Sequence, residues 1–381
     1  MTRLAIVLAL TAACSYGTKF RDCQVSCGEQ SSCPDGFACG AGNLCRAPGV
    51  TTSCSSVLDA NPGNDAEGID SGTGGGNDGG LHAGAALPGV YVTDGNQSRV
   101  LVWLLDATGA VSPQRTLAGS NTLLDNPVGI AIDHAGEIVV ANEGTSALGN
   151  LLVFAPDADG DVAPLRVLAD PNLPRPLAVA IGSDDSIFAA TTASAQVNAD
   201  NPTVFHFAPG ATTSDRNFIG PARLVAPSLA SDSAGDVVLS VADFVGTYAP
   251  TAAGSAQPIR GFTRQLASAG TISAAAAVTD AVIAVRDQTS IELYPATQVG
   301  AEAKPVSQLT PVDIATDSST TTMLAVDPTG PTPVFYTLDF EHPDVFVVPT
   351  SGSGSSLTAG PVHSIVGDIS FNPGGVAVVP Q

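Results

Sequence analysis

The feature that most constrains this chain is a repeated beginning. PVGIAID (Pro127–Asp133), PLAVAI (Pro176–Ile181), PSLASD (Pro227–Asp232) and PVDIATD (Pro311–Asp317) each run from a proline into a short strand of β-branched or small residues. The first three prolines lie 49 and 51 residues apart. The 84 residues from Pro227 to Pro311 divide into two units of 42 if a degenerate start lies near Ala269, in AGTISAAAAVTDAVIAV. A second landmark keeps the same period: VWLLDATG (102–109), VFAPDADG (153–160), HFAPGATT (206–213) and TYAPTAAG (247–254). In the clearest unit, GIAID, a turn at His134–Gly136, EIVVAN, GNLLVFAP and PLRVL supply four strands. One such unit cannot bury its apolar faces alone, so successive copies must stack.

Four short strands repeated at this period are the pattern of β-propeller blades. Composition agrees, because 40 Gly and 28 Pro with only 13% charged residues suit many short strands joined by turns, an all-β class. The first unit, Gly89–Leu105 (GVYVTDGNQSRVLVWLL), matches a second and third strand and lacks a first. NPGGVAVV at Asn372–Val379 supplies it. The termini are therefore expected to share one blade, which latches the ring and protects its sheet edges. That composite blade and those starting near Pro127, Pro176, Pro227, Ala269 and Pro311 make six, with seven allowed by the 62-residue length from Pro311 to Pro373.

Ahead of the repeat the chain reads as three shorter segments. Residues 1–13 join a basic residue, Arg3, to the apolar run LAIVLALTAA (Leu4–Ala13), about half the ~20 residues that span a bilayer. With Cys14 after small residues, the stretch resembles a bacterial lipoprotein signal, which implies cleavage before Cys14 and lipidation of its sulfur. Thr11 departs from the leucine usual in that motif. An ordinary cleaved signal peptide is the alternative. Removing Cys14 from the seven cysteines leaves an even six, Cys23, Cys27, Cys33, Cys39, Cys45 and Cys54. In an exported chain such density points to a small disulfide-held module over residues 14–54, since so short a segment buries too little apolar surface to fold unaided. Spacing leaves the pairing open, and neither a CxxC pair nor a nearby histidine favours zinc. Residues 55–86, rich in Gly, Asp, Asn and Ser, read as a flexible linker with a root-mean-square reach of about 30 Å. Residues 87–381 form the propeller.

VYVTDGNQSRVLVW (Val90–Trp103) and PVGIAIDHAGEIVVAN (Pro127–Asn142) resemble the NHL repeats of six-bladed propellers. The resemblance implies a ring around a central channel with ligands held by the loops of one face. That family contains both binding scaffolds and enzymes, so fold alone does not assign activity.

After the second strand of each blade the alignment places Asp94, Asn142, Thr191, Asp243, Asp287 and Asp327, polar in every unit and carboxylate in four. Around a channel mouth, Asp94, Asn142, Glu143, Asp243, Asp287 and Asp327 are the candidates to hold calcium or another divalent cation. The weightier reading is that Asp and Asn end strands because their side chains close Asx-turns. Asp157, Asp159 and Asp161 are spaced like the start of a calcium loop, but Val162 and Leu168 stand where an EF-hand needs Gly and Glu. His82, His134, His206, His342 and His363 are spread too widely to converge, and no GxSxG elbow occurs, so no catalytic residue is assigned.

Acidic residues outnumber basic ones 36 to 14, for a net charge of -22, which disfavours nucleic acid and anionic lipid surfaces as partners. The sequence thus supports a monomeric outer-membrane lipoprotein, held to the membrane by its lipid alone and binding a protein or glycan at the cell envelope. Two other readings stand beside it. One is a divalent-metal lactonase resembling the gluconolactonase propellers, with Glu143 the residue to test; the other is a periplasmic assembly scaffold.

Overall fold

The structure, a computed structural model, describes residues 38–39, 45–46 and 86–380, except 146–148, 174, 192–200, 224–225, 266–274, 287–289, 311–323, 339–343, 355, 368 and 371–372. The chain divides into two compact units, Met1–Gly79 and Gly80–Gln381. In the first, Ala38–Cys39 pairs antiparallel with Cys45–Arg46, Cys39 standing opposite Cys45. Cys14, Cys23, Cys27, Cys33 and Cys54 lie outside the described residues. Among the described residues no helix is long and apolar enough to cross a membrane.

The second unit is a propeller of six antiparallel blades. Blade one is the composite: Pro373–Val379 pairs with Gly89–Asp94, followed by Arg99–Leu104 and Arg115–Ala118. Blade two runs Pro127–Ile132, Ile138–Asn142, Asn150–Phe154 and Arg166–Leu168; blade three runs Ala178–Ile181, Ile187–Thr191, Thr203–Phe207 and Arg216–Ile219. Blade four is Ser228–Ser231, Val237–Val241, Phe244–Tyr248 and Arg260–Arg264, and blade five is Ala275–Val278, Val282–Arg286, Ile291–Pro295 and Ser307–Leu309. Blade six is Leu324–Asp327, Val334–Leu338, Asp344–Ser353 and His363–Val366. Each innermost strand touches the next, and the sixth touches Pro373–Val379, so the ring closes on the C-terminal strand.

Both faces of every blade are covered by neighbours, which is why strands such as VYV and LLVF are apolar throughout rather than alternating. The core is accordingly six clusters, one at each blade junction. Val90 and Val92 pack toward blade six while Tyr91, between them, packs toward blade two.

The recurring ending of the third strand has a physical cause. Gly109, Gly160, Gly254 and Gly300 hold φ of 67°, 69°, 60° and 101°, a left-handed conformation that costs L-residues with a side chain about 1–2 kcal/mol. There the chain turns back and pairs in parallel with the outer strand of the preceding blade, opposite the buried Ile365, Leu117, Phe218 and Phe262 respectively. Between blades two and three the Ala169 amide bonds the Thr212 carbonyl at 3.0 Å instead. These contacts cover the outer edges of the sheets, the usual weak point of an open β-structure.

The last blade departs from the alignment. Its innermost described strand is Leu324–Asp327, and the start expected at Pro311 lies outside the described residues, with all of 311–323. Part of the extra length is a hairpin: Asp344–Ser353 overruns the blade and pairs with Ser356–Ala359. The described strands of the stretch that allowed a seventh blade all belong to the sixth.

Candidate functional site

Antiparallel order puts the ends of all second strands on one face of the ring, where the sequence had gathered its candidate ligands. Asp94 is fully buried there. It accepts from Arg99 Nε at 3.0 Å and from the Ser370 amide at 3.1 Å, and the Ser370 hydroxyl bonds its other oxygen. Asn142, also buried, accepts from the Asp125 amide at 2.7 Å and donates to the Leu123 carbonyl at 3.2 Å and to Asn150 Oδ1 at 3.0 Å. Its neighbour Glu143 accepts from Asn126 Nδ2 at 2.7 Å and is ion-paired with Arg175. Asp243, in the turn after Val237–Val241, takes Arg223 Nε at 2.6 Å. Thr191 ends its strand buried.

Two candidates do not join this set. Asp287 lies outside the described residues. Asp327 was aligned to the end of a second strand, but it ends the first strand of blade six and pairs with Val334, at the opposite end of the ring. The misplacement follows from the shifted start of that blade. Asp327 Oδ1 accepts the Thr329 amide at 2.9 Å and its hydroxyl at 2.7 Å, closing an Asx-turn. The calcium-like run is likewise structural: Asp159 accepts the Thr116 amide at 2.9 Å, and Asp161 accepts the Asn121 amide at 2.7 Å and its Nδ2 at 3.1 Å. Both carboxylates therefore staple blade two to blade one.

Among the described residues no three His, Cys, Asp or Glu side chains converge to hold a metal ion. His134 Nδ1 meets Asp185 at 2.6 Å, and the largely buried His206 meets Asp215 at 2.5 Å, each a separate pair. An arrangement of arginine-paired acids can hold loops and present alternating charge to a partner.

No protein-family profile matches the chain, and no curated protein does. Solved structures match it at low identity. A protein of unknown function from Desulfotomaculum acetoxidans aligns at 13% identity over 72% of this chain and 79% of its own, with a TM-score of 0.47. A provisionally assigned glucose dehydrogenase of Thermus thermophilus aligns at 12% over 66% and 87%, TM-score 0.45. A provisionally assigned 6-phosphogluconolactonase of Bacteroides uniformis aligns at 11% over 72% and 82%, TM-score 0.43. Likenesses this distant carry no argument about activity, and the propeller rests on strand order and ring closure.

On the opposite face, Asp133 sits in the turn between the first two strands of blade two, where it accepts the Glu137 amide at 2.7 Å. Burial, helped by the Glu137 and Asp185 charges, pushes its carboxyl up to about 6. A carboxyl raised above its unfolded value makes the native state bind more protons between the two values, so this group costs stability as pH rises through that window. Asp133→Asn keeps the amide's acceptor and removes the charge. Its melting temperature is expected to exceed the parent's at pH 7.5 and to converge on it near pH 4. A gain that stayed constant from pH 4 to 7.5 would show that the charge is not responsible.

Sequence reasoning missed one recurrent group. Arg115, Arg166, Arg216 and Arg260 each open the fourth strand of successive blades, and their spacing of 51, 50 and 44 residues carried the same period as the prolines.

Proposed function

We propose that this chain is an exported, lipid-anchored propeller that serves as a binding module at the cell envelope and not as a metal-dependent hydrolase. The observation that carries the reading is the engagement of the acids on the strand-end face. Asp94 is held by Arg99, Glu143 by Arg175 and Asp243 by Arg223, so a divalent cation would have to displace a guanidinium from each. Such partly buried, hydrogen-bonded pairs are costly to break from one side. The signal-like N-terminus with Cys14, the cysteine-dense segment and the Gly/Asp-rich linker fit delivery and tethering of this domain, with a protein or glycan as partner.

Calorimetric titration of the full chain with calcium, zinc and manganese, alongside a lactone-hydrolysis assay, tests the reading. The expected result is no saturable heat and no metal-dependent turnover. Micromolar binding that disappears in Glu143→Ala, with turnover lost in parallel, would replace the binding module with a hydrolase. Palmitate labelling of cells, abolished in Cys14→Ser, checks the anchor separately.

A further inference from the structure

Two of the strand-four arginines bridge blade junctions. Arg115 donates to the Pro156 carbonyl of blade two at 2.8 Å, and Arg216 to the Pro250 carbonyl of blade four at 2.6 Å. Each guanidinium thus caps the turn that follows the next blade's third strand. That turn is closed by the Ala158 amide on the Ala155 carbonyl at 3.1 Å in blade two, and by Ala252 on Ala249 at 2.9 Å in blade four. Blade five makes the same turn, Gln298 bonding the Pro295 carbonyl at 2.8 Å, which places Ala296 where Pro156 and Pro250 stand.

Arg166 pairs with Glu137 of its own blade at 2.8 Å instead, and Arg260 does not complete the pattern either. It turns back to its own blade, 3.4 Å from Asp232 and 3.8 Å from Asp236, and among the described residues makes no hydrogen bond to the blade-five turn. The bridge is replaced by a cleft of about 360 Å³ between blades four and five. Arg260, Asp232 and Asp236 form one wall; Asp280, Ala296 and Thr297 belong to the other, with Val278 and Ile283 among the apolar lining. That volume lies within the range of small-molecule sites, roughly 300–1,000 Å³.

We propose that this cleft binds a small organic cation, a guanidinium or primary ammonium group on a short alkyl chain. At two other junctions the corresponding space is taken by a guanidinium, so the turn is already shaped to meet one. Three carboxylates face a single arginine here, and Asp280 has only the Ser233 hydroxyl, at 2.6 Å, as its described partner. Burial and the Asp232 charge raise the Asp236 carboxyl, a penalty that a cation beside it relieves. The alkyl chain lies against Val278 and Ile283. The inference rests on the binding reading above and gives it a ligand class, whether a free cation or an arginine side chain of a partner protein.

The test is calorimetric titration of the full chain with agmatine, with the capped peptide acetyl-Gly-Arg-Gly-amide, and with uncharged N-butylurea. Saturable binding of a cation but not of the urea is expected. Asp236→Asn and Asp280→Asn should each weaken it about three- to tenfold. Thr297→Trp, an exposed position at the rim, should abolish binding at an unchanged melting temperature. Tighter agmatine marks a free cation as the ligand, and tighter peptide marks a partner's arginine. Absence of heat with both cations, or equal binding by all three variants, overturns the cleft assignment while leaving the binding module intact. Metal-dependent lactone turnover would instead remove the reading beneath it.

Discussion

Glu292→Ala is expected to lower the unfolding free energy by about 3–5 kcal/mol, because it leaves a buried arginine without its counter-ion. Arg264, on the fourth strand of blade four, has a fully buried side chain and meets Glu292 of blade five at 2.9 Å. Tyr294 donates to the same carboxylate at 2.8 Å, and Arg264 also donates to the Ala242 carbonyl at 3.0 Å. Among the described residues its Nε is buried without an acceptor, so little in the described surroundings could take up the freed charge. Replacing both partners together, Arg264→Met with Glu292→Leu, should recover most of the loss, since an apolar pair of similar volume avoids desolvating two charges. Urea unfolding at pH 7 measures both variants. A single-variant loss below about 1 kcal/mol would put the pair in the class of solvent-screened surface bridges.

Removal of residues 373–381 is expected to have the second large effect. The lost strand carries Val376 and Ala377 into two junction clusters and pairs along the length of Gly89–Asp94. It is also stitched by side chains: the Gly375 amide donates to Thr93 Oγ1 at 2.6 Å, and that hydroxyl donates to the Val128 carbonyl of blade two at 2.7 Å. No bulkier residue fits there, because a Cβ on Gly375 would stand 2.6 Å from the Val128 carbonyl oxygen. Without the strand the inner edge of Gly89–Asp94 is left unpaired and the ring has a gap at its axis. The cost, on the order of 5–10 kcal/mol, matches the whole net stability of an ordinary domain, so the truncated chain should aggregate or unfold over a broad transition. A peptide of residues 371–381 added in trans should restore a single sharp transition. An unchanged midpoint in the truncated protein would mean that the blade is complete without its C-terminal strand.

The fold was legible because the signals that carried it are backbone requirements. The Asn-Pro start at Asn372, read against the unit at Asn126, located the latch before any contact was known. The glycines of VWLLDATG and TYAPTAAG marked the period because the left-handed turns that cover the outer edges favour glycine over residues with a side chain. In the last blade the alignment misplaced Asp327: it ends the innermost described strand, Leu324–Asp327, and not a second strand, while PVDIATD lies outside the described residues. Side-chain pairing was less accessible. Glu292 and Arg264 are neighbours only because two blades pack together, and no spacing within one unit links them. The strand-four arginines could have been found, since they repeat with the blades, but their division into bridging and non-bridging members depends on rotamer rather than on sequence.

Closure of the six-bladed ring by its own termini is most directly tested by hydrogen exchange, read by mass spectrometry on the full chain under native conditions. Peptides covering Val376–Val379 and Val90–Val92 should be protected to the same degree as Val139–Ala141 and Leu151–Val153 in the interior of blade two. Exchange of the C-terminal strand at the rate of an unstructured peptide, while blade two stays protected, would contradict the closed ring.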